Sequence, residues 1–224
     1  MDRAVFAVLA MLASPALAEE TRLNGMAEEV LASEWADPTN VDEDYLFEPI
    51  DFDDPSVQTS FLLDAHPFRD VESTFGGTPQ VEEIFDNLPI RWLCYDTGHT
   101  RTTFASVRSE EAGNETMEPG PVIGLIIEEA NAPQNAACID NAAAASPQPG
   151  NDIPGLGAKI ADLESRFGSA PVDEGGHIAY VAKAELGDAE SWIETKIVYY
   201  RIEAGIVTGV AFKLTNTNVT TSGD

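Results

Sequence analysis

Cysteine, histidine and basic side chains are all scarce in this chain of 224 residues. It has two Cys, three His, and 12 Lys and Arg against 39 Asp and Glu, a formal net charge of −27. The shortage of cations excludes a nucleic-acid partner, because no basic patch exists to neutralise phosphates and release counterions. An anionic membrane surface is disfavoured on the same ground. The histidines His66, His99 and His177 are widely dispersed, which argues against a histidine metal centre. No C-x-x-C pair is present for redox or zinc chemistry, and no Gly-x-Ser-x-Gly elbow for a serine nucleophile. "GLGAK" at 155–159 lacks the spacing of a P-loop and reads as a helix-start turn.

What is present begins with an export signature. Arg3 supplies a positive start, "AVFAVLAMLA" a short apolar core, and Ala16-Leu17-Ala18 a small-residue cleavage site before Glu19. The core is too short to span a bilayer, no later run is long enough, and no Cys follows the cleavage site to carry a lipid. The expectation is a soluble periplasmic or secreted protein without a membrane anchor. In such a compartment Cys94 and Cys138 are most simply one disulfide, closing a loop of about 45 residues and contributing roughly 4 kcal/mol by chain entropy. Acidity is concentrated early: residues 19–60 hold 13 acidic side chains against the single Arg22. It serves solubility, and it also suits a basic protein partner or bound cations.

The two halves of the chain share a pattern. "DVESTFGGTP" at 70–79 and "DLESRFGSAP" at 162–171 match at Asp, Glu, Ser, Phe, Gly and Pro without a gap. Phe68, Val71 and Phe75, and likewise Ile160, Leu163 and Phe167, recur at helical spacing, and Gly76 and Gly168 sit where a left-handed cap ends a helix. Three strands are predicted after each helix: 90–96, 101–108 and 122–128, then 178–184, 192–202 and 207–214. "VIGLI" against "VTGVA" places Gly124 opposite Gly209, and aligning the first strands of the two halves, Trp92–Tyr95 on Ile178–Val181, places Tyr95 on Val181 and Asp96 on Ala182. The fold class expected is α+β: two tandem α-β-β-β units with antiparallel sheets, preceded by an acidic N-terminal segment. The divisions are a signal at 1–18, the acidic segment at 19–60, units at 61–130 and 157–218, a linker at 131–156 and a tail at 219–224.

A helix followed by three strands, duplicated in an exported protein and carried here by "ESTFG" and "ESRFG", resembles the beta-lactamase inhibitor protein and the outer-membrane assembly lipoproteins of the BamE type. The resemblance covers about 65–130 and 155–215. It implies a non-enzymatic protein-binding role through an open sheet face. The chain departs from that family in lacking a lipobox Cys and in carrying the acidic region 19–60.

Candidate sites follow from these readings. Trp92, Tyr95, Trp192, Tyr199 and Tyr200 are the aromatic contact candidates for a protein partner, since aromatic side chains carry interface energy well. Core packing is the alternative for each. Asp51, Asp53 and Asp54, within "DEDYLFEPIDFDDP" at 42–55, are the candidates for calcium, which wants several oxygen ligands. No other cofactor is expected. Asp96-Thr97-Gly98 matches the tripeptide of aspartic proteases, but such catalysis needs two carboxylates sharing a proton and the second half lacks the tripeptide. A hairpin turn is the better reading. The alternatives to a plain binding module are an inhibitor of a secreted hydrolase, acting through a loop such as 109–120, and a calcium-dependent ligand binder or enzyme.

Overall fold

The computed structural model describes residue 23 and residues 25–32, 38–41, 51–52, 63, 66–84, 88–107, 120–130, 138–141, 144, 147–148, 153–186 and 191–219. In chain order its elements are α1 (Met26–Ala32), β1 (Thr39–Asn40), β2 (Asp51–Phe52), α2 (Phe68–Phe75), β3 (Gln80–Ile84), β4 (Leu88–Asp96), β5 (Thr100–Val107), β6 (Gly124–Glu129), β7 (Pro147–Gln148), α3 (Ile160–Phe167), β8 (His177–Leu186), β9 (Ser191–Glu203) and β10 (Ile206–Val219). The fold is mixed α/β, dominated by strands, with few helices. No described helix is long and apolar enough to cross a membrane.

The two longer helices end where their glycines dictate. Gly76 and Gly168 adopt positive φ, 76° and 88°, and their amides donate to the carbonyls of Glu72 and Glu164. A residue with a Cβ would be strained there. The apolar stripe of α2 buries Phe68, Val71 and Phe75, and that of α3 buries Leu163 and Phe167.

One sheet contains the strands of both halves, in the order β1-β8-β9-β10-β6-β5-β4-β3. The halves meet where β10 pairs antiparallel with β6, from Gly209 opposite Glu128 to Lys213 opposite Gly124. Joining two edges satisfies backbone groups that each separate sheet would leave unpaired. β3 is a strand the sequence pattern did not disclose, with Val81 on its edge 60% exposed.

Alternation then sorts side chains onto two covered faces. On the first, α2 and α3 lie over Leu93, Tyr95, Phe104, Tyr180, Tyr200 and Phe212. Each helix closes an aromatic trio: Phe75, Tyr95 and Phe104 with centroids 5.6–6.1 Å apart, and Phe167, Tyr180 and Tyr200 with centroids 4.7–6.3 Å apart. The Tyr95 hydroxyl donates to the Gly76 carbonyl at 2.7 Å and that of Tyr180 to the Gly168 carbonyl at 3.1 Å, so each ring also ties down a helix end. In register, Leu93 and Tyr95 face Phe104 and Thr102 as Ile178 and Tyr180 face Tyr200 and Val198. Tyr95 therefore matches Tyr180, one residue away from the match expected by aligning the strand sequences. A one-residue slip would turn the ring to the wrong face, so packing rather than sequence spacing decides the register.

Tyr95→Phe keeps the ring and removes the hydroxyl, leaving the Gly76 carbonyl without that donor. A loss of about 1–2 kcal/mol in urea unfolding is expected. Unchanged stability would show that water replaces the contact.

Candidate functional site

The second face of the sheet is covered by α1, from within the segment read as merely acidic. Met26, Ala27, Val30 and Leu31 are buried against Ile126, Tyr199 and Ala211, while Glu28 and Glu29 are exposed. The open sheet face implied by the family resemblance is thus occupied at its centre.

Beneath the start of α1 lies a row of polar side chains that crosses the sheet by strand register. Asp96, Arg101, Glu128, Gly209, Arg201 and His177 are successive partners on β4, β5, β6, β10, β9 and β8. Their charges alternate. Arg101 reaches Asp96 at 3.3 Å and Glu128 at 3.6 Å, all three side chains being almost fully buried. Arg201 meets Glu128 at 3.1 Å and Glu203 at 3.7 Å. Gly209 is the one member without a side chain, and Met26 fills the gap: a Cβ on Gly209 would come within 2.5 Å of Met26 Sδ. The Met26 amide donates to Glu128 Oε2 at 3.1 Å, so a carboxylate of the sheet meets the positive end of the helix. At the other end Lys213 Nζ donates to the Val30 carbonyl at 3.3 Å. His177 completes the row by lying 3.2 Å from Glu29 of α1 and 3.5 Å from Asp173. No spacing motif links residues so far apart in sequence; only the register assembles them.

Asp96 belongs to this row and to a turn. Its Oδ1 accepts the Gly98 amide at 2.5 Å while Oδ2 faces Arg101, and Thr97 Oγ1 accepts the Thr100 amide at 3.2 Å. Both carboxylate oxygens are engaged in closing the β4–β5 hairpin and neutralising a buried guanidinium.

Four of the five aromatic contact candidates lie inside the protein. Trp92, Tyr95, Tyr199 and Tyr200 are all at most 2% exposed. Such rings offer a partner no surface: Tyr95 and Tyr200 pack under the helices, and Trp92 and Tyr199 under the α1 face. Trp192 pairs with Leu186 in the β8–β9 ladder, and its side chain lies outside the described residues. Asp51 contributes backbone to the β2–β7 pair opposite Gln148. Its side chain, Asp53, Asp54 and the loop 109–119 lie outside the described residues. Among the described residues no group of three or more His, Cys, Asp or Glu is placed to hold a metal ion.

Burial raises the phenol pKa values. Tyr180 is pushed up to about 12 by desolvation and then by the nearby charge of Glu164. Tyr95 rises by desolvation and by Glu72, Tyr199 by desolvation, and Tyr200 by desolvation and Tyr180 against the opposing effect of Arg166. The folded values lie above the ordinary value near 10, so the neutral phenols contribute stability that is complete below about pH 10 and lost as pH rises through the folded values. Alkaline titration should show tyrosinate absorbance appearing together with loss of circular dichroism. Independent ionisation of these four rings in a still-folded chain would contradict their burial.

Cys94 and Cys138 form a disulfide with Cα atoms 4.5 Å apart. The bridge is reinforced by backbone: the Ile139 amide donates to the Cys94 carbonyl and the Asp96 amide to the Ile139 carbonyl, both at 2.9 Å. Residues 138–140 thereby continue the sheet edge beyond β3. No protein-family model, curated protein or solved structure matches this chain.

Proposed function

We propose that this chain is an exported protein-binding module of the bacterial envelope that works without catalysis, its localisation periplasmic or secreted. The observation that carries the reading is the seat of α1: a face of the sheet holds a chain segment by a side-chain-free notch, a carboxylate at its start and an ammonium at its end. A surface that holds one helical segment in this way is equipped to recognise another. The leader-like start, the disulfide and the net charge of −27 suit an oxidising compartment and a basic partner. In this reading the fold is two tandem α-β-β-β units joined at β6 and β10, with 19–60 as the acidic segment before them, in keeping with the resemblance to the beta-lactamase inhibitor protein.

The test is affinity capture from an envelope extract with the chain from Glu19 onward as bait, at low and moderate salt, followed by titration of the purified partner. One saturable partner weakened by salt supports the reading. No protein partner at either salt counts against it and directs the search to small ligands and calcium. Deleting residues 19–55 is not a clean test of charge, because the deletion also strips α1 from the core.

A further inference from the structure

The sheet has two edges, and they are guarded differently. At one, β1 pairs with β8 at Tyr180 and Val181, and the exposed Lys183 follows. A lysine on an edge strand discourages further pairing. At the other, residues 138–140 lie along the end of β4 and β3 lies along its beginning. β3 itself, Gln80–Ile84, carries no Lys, Pro or bulge. Val81 stands there 60% exposed, more than any other large apolar residue described.

Register fixes which backbone groups of β3 are left over. The Cys94 carbonyl and the Asp96 amide both bond Ile139, so the even-numbered residues of β4 turn their backbone groups to this edge. Leu88, Ile90 and Trp92 thus bond Ile84, Glu82 and Gln80, their partners in β3. Val81 and Glu83 are left with N–H and C=O groups directed away from the sheet, and no described residue meets them. Such a row of outward donors and acceptors is the template onto which a further strand adds.

Charge decides what that strand is. Glu82 and Glu83 are consecutive on β3, and the Glu82 carboxylate accepts the Leu23 amide at 2.8 Å. A second copy pairing antiparallel along the whole of β3 would set Glu82 against its own counterpart and bring together two chains of net charge −27. Like charges directly opposite destabilise a strand pair, whereas opposite charges stabilise it. We propose that the outer edge of β3 is the docking site for an extended basic segment of a partner protein, which joins the sheet as a further strand. Its residue opposite Val81 is apolar, and its residue opposite Glu82 is Lys or Arg. The inference rests on the protein-binding reading above and gives that partner a conformation and a place.

The probe is a fluorescent peptide of alternating Lys and Val, titrated at moderate salt into the chain from Glu19 onward, with amide exchange followed residue by residue. Binding should slow exchange at Val81 and Glu83 and leave β8 unchanged. Val81→Pro removes an outward amide and no hydrogen bond to β4, so the variant should stay folded and bind about tenfold more weakly. The same peptide N-methylated at its valines keeps its charge and loses its pairing amides, and it should weaken by the same factor. Unchanged exchange at Val81 and Glu83 overturns the proposal. So does equal binding of the methylated peptide, which would make the attraction one of charge alone. A peptide with Glu in place of Lys that binds as tightly overturns the basic partner. Should Val81→Pro not fold, the methylated peptide on the native chain decides. A native chain that sediments as a dimer, and a Val81→Pro chain that sediments as a monomer, would assign the edge to a second copy and overturn the partner assignment. A chain that captures one protein from the extract equally well with and without Val81→Pro keeps its binding function and loses this edge.

Discussion

Glu128→Ala should destabilise the protein by about 3 kcal/mol, at the lower end of the range for breaking a buried ion pair. The carboxylate is 3% exposed and serves three groups: Arg101, Arg201 and the Met26 amide. Its removal leaves Arg101 buried with only Asp96 of this row beside it, while Arg201 retains Glu203 and Thr208 and is partly wetted. That residual pairing is why the lower end of the range applies. Glu128→Gln keeps the shape and an acceptor oxygen for the Met26 amide, so it should cost less than the alanine change. Urea unfolding of both variants measures the difference, and amide exchange at 26–32 should rise in both. Equal losses would show that charge is irrelevant and that only volume matters; a loss below about 1 kcal/mol for alanine would show that water enters the row and solvates the guanidiniums.

Cys138→Ser should lower stability by about 4 kcal/mol, the chain-entropy value for a loop spanning a separation of 44 residues. For a chain of this size that corresponds to a fall in Tm of roughly 10 °C. The segment should nevertheless stay in place below the transition. Ile139 keeps its two backbone hydrogen bonds to β4, and the Asn141 side chain donates to the Phe75 carbonyl at 3.0 Å. These contacts act in the folded state, whereas the cross-link acts chiefly by restricting the unfolded chain. Calorimetry of the variant, and of the native chain with and without reductant, checks the prediction. A loss under 1 kcal/mol would mean that the unfolded chain already holds residues 94 and 138 close together.

Local signals carried the parts of this fold that were readable in advance. Gly76 and Gly168 stop their helices for conformational reasons present in any context, and the apolar spacing ahead of them marks the buried stripe. Two cysteines leave one simple pairing, which the structure contains. The six strands expected from alternation all occur, with ends displaced by a few residues.

Four of the aromatic candidates, Trp92, Tyr95, Tyr199 and Tyr200, are buried for a reason that alternation itself supplies. Period two says that Trp92 and Tyr95 point to opposite faces, but it is silent on whether either face is covered. Both are, by different helices. The cover over Trp92 was unreadable because α1 is short, lies among glutamates and depends for its stability on a sheet built from residues roughly a hundred positions later.

By itself the sequence determined the ends of α2 and α3, six of the strands, the acidic character and the cysteine pairing, because each depends on neighbouring residues or on simple counts. Tertiary structure alone decided that the halves share one sheet, that a charge row crosses it from Asp96 to His177, and that α1 fills the gap at Gly209. Those features depend on register between distant strands, where the pairing partner of a residue is chosen by the packing of the whole molecule.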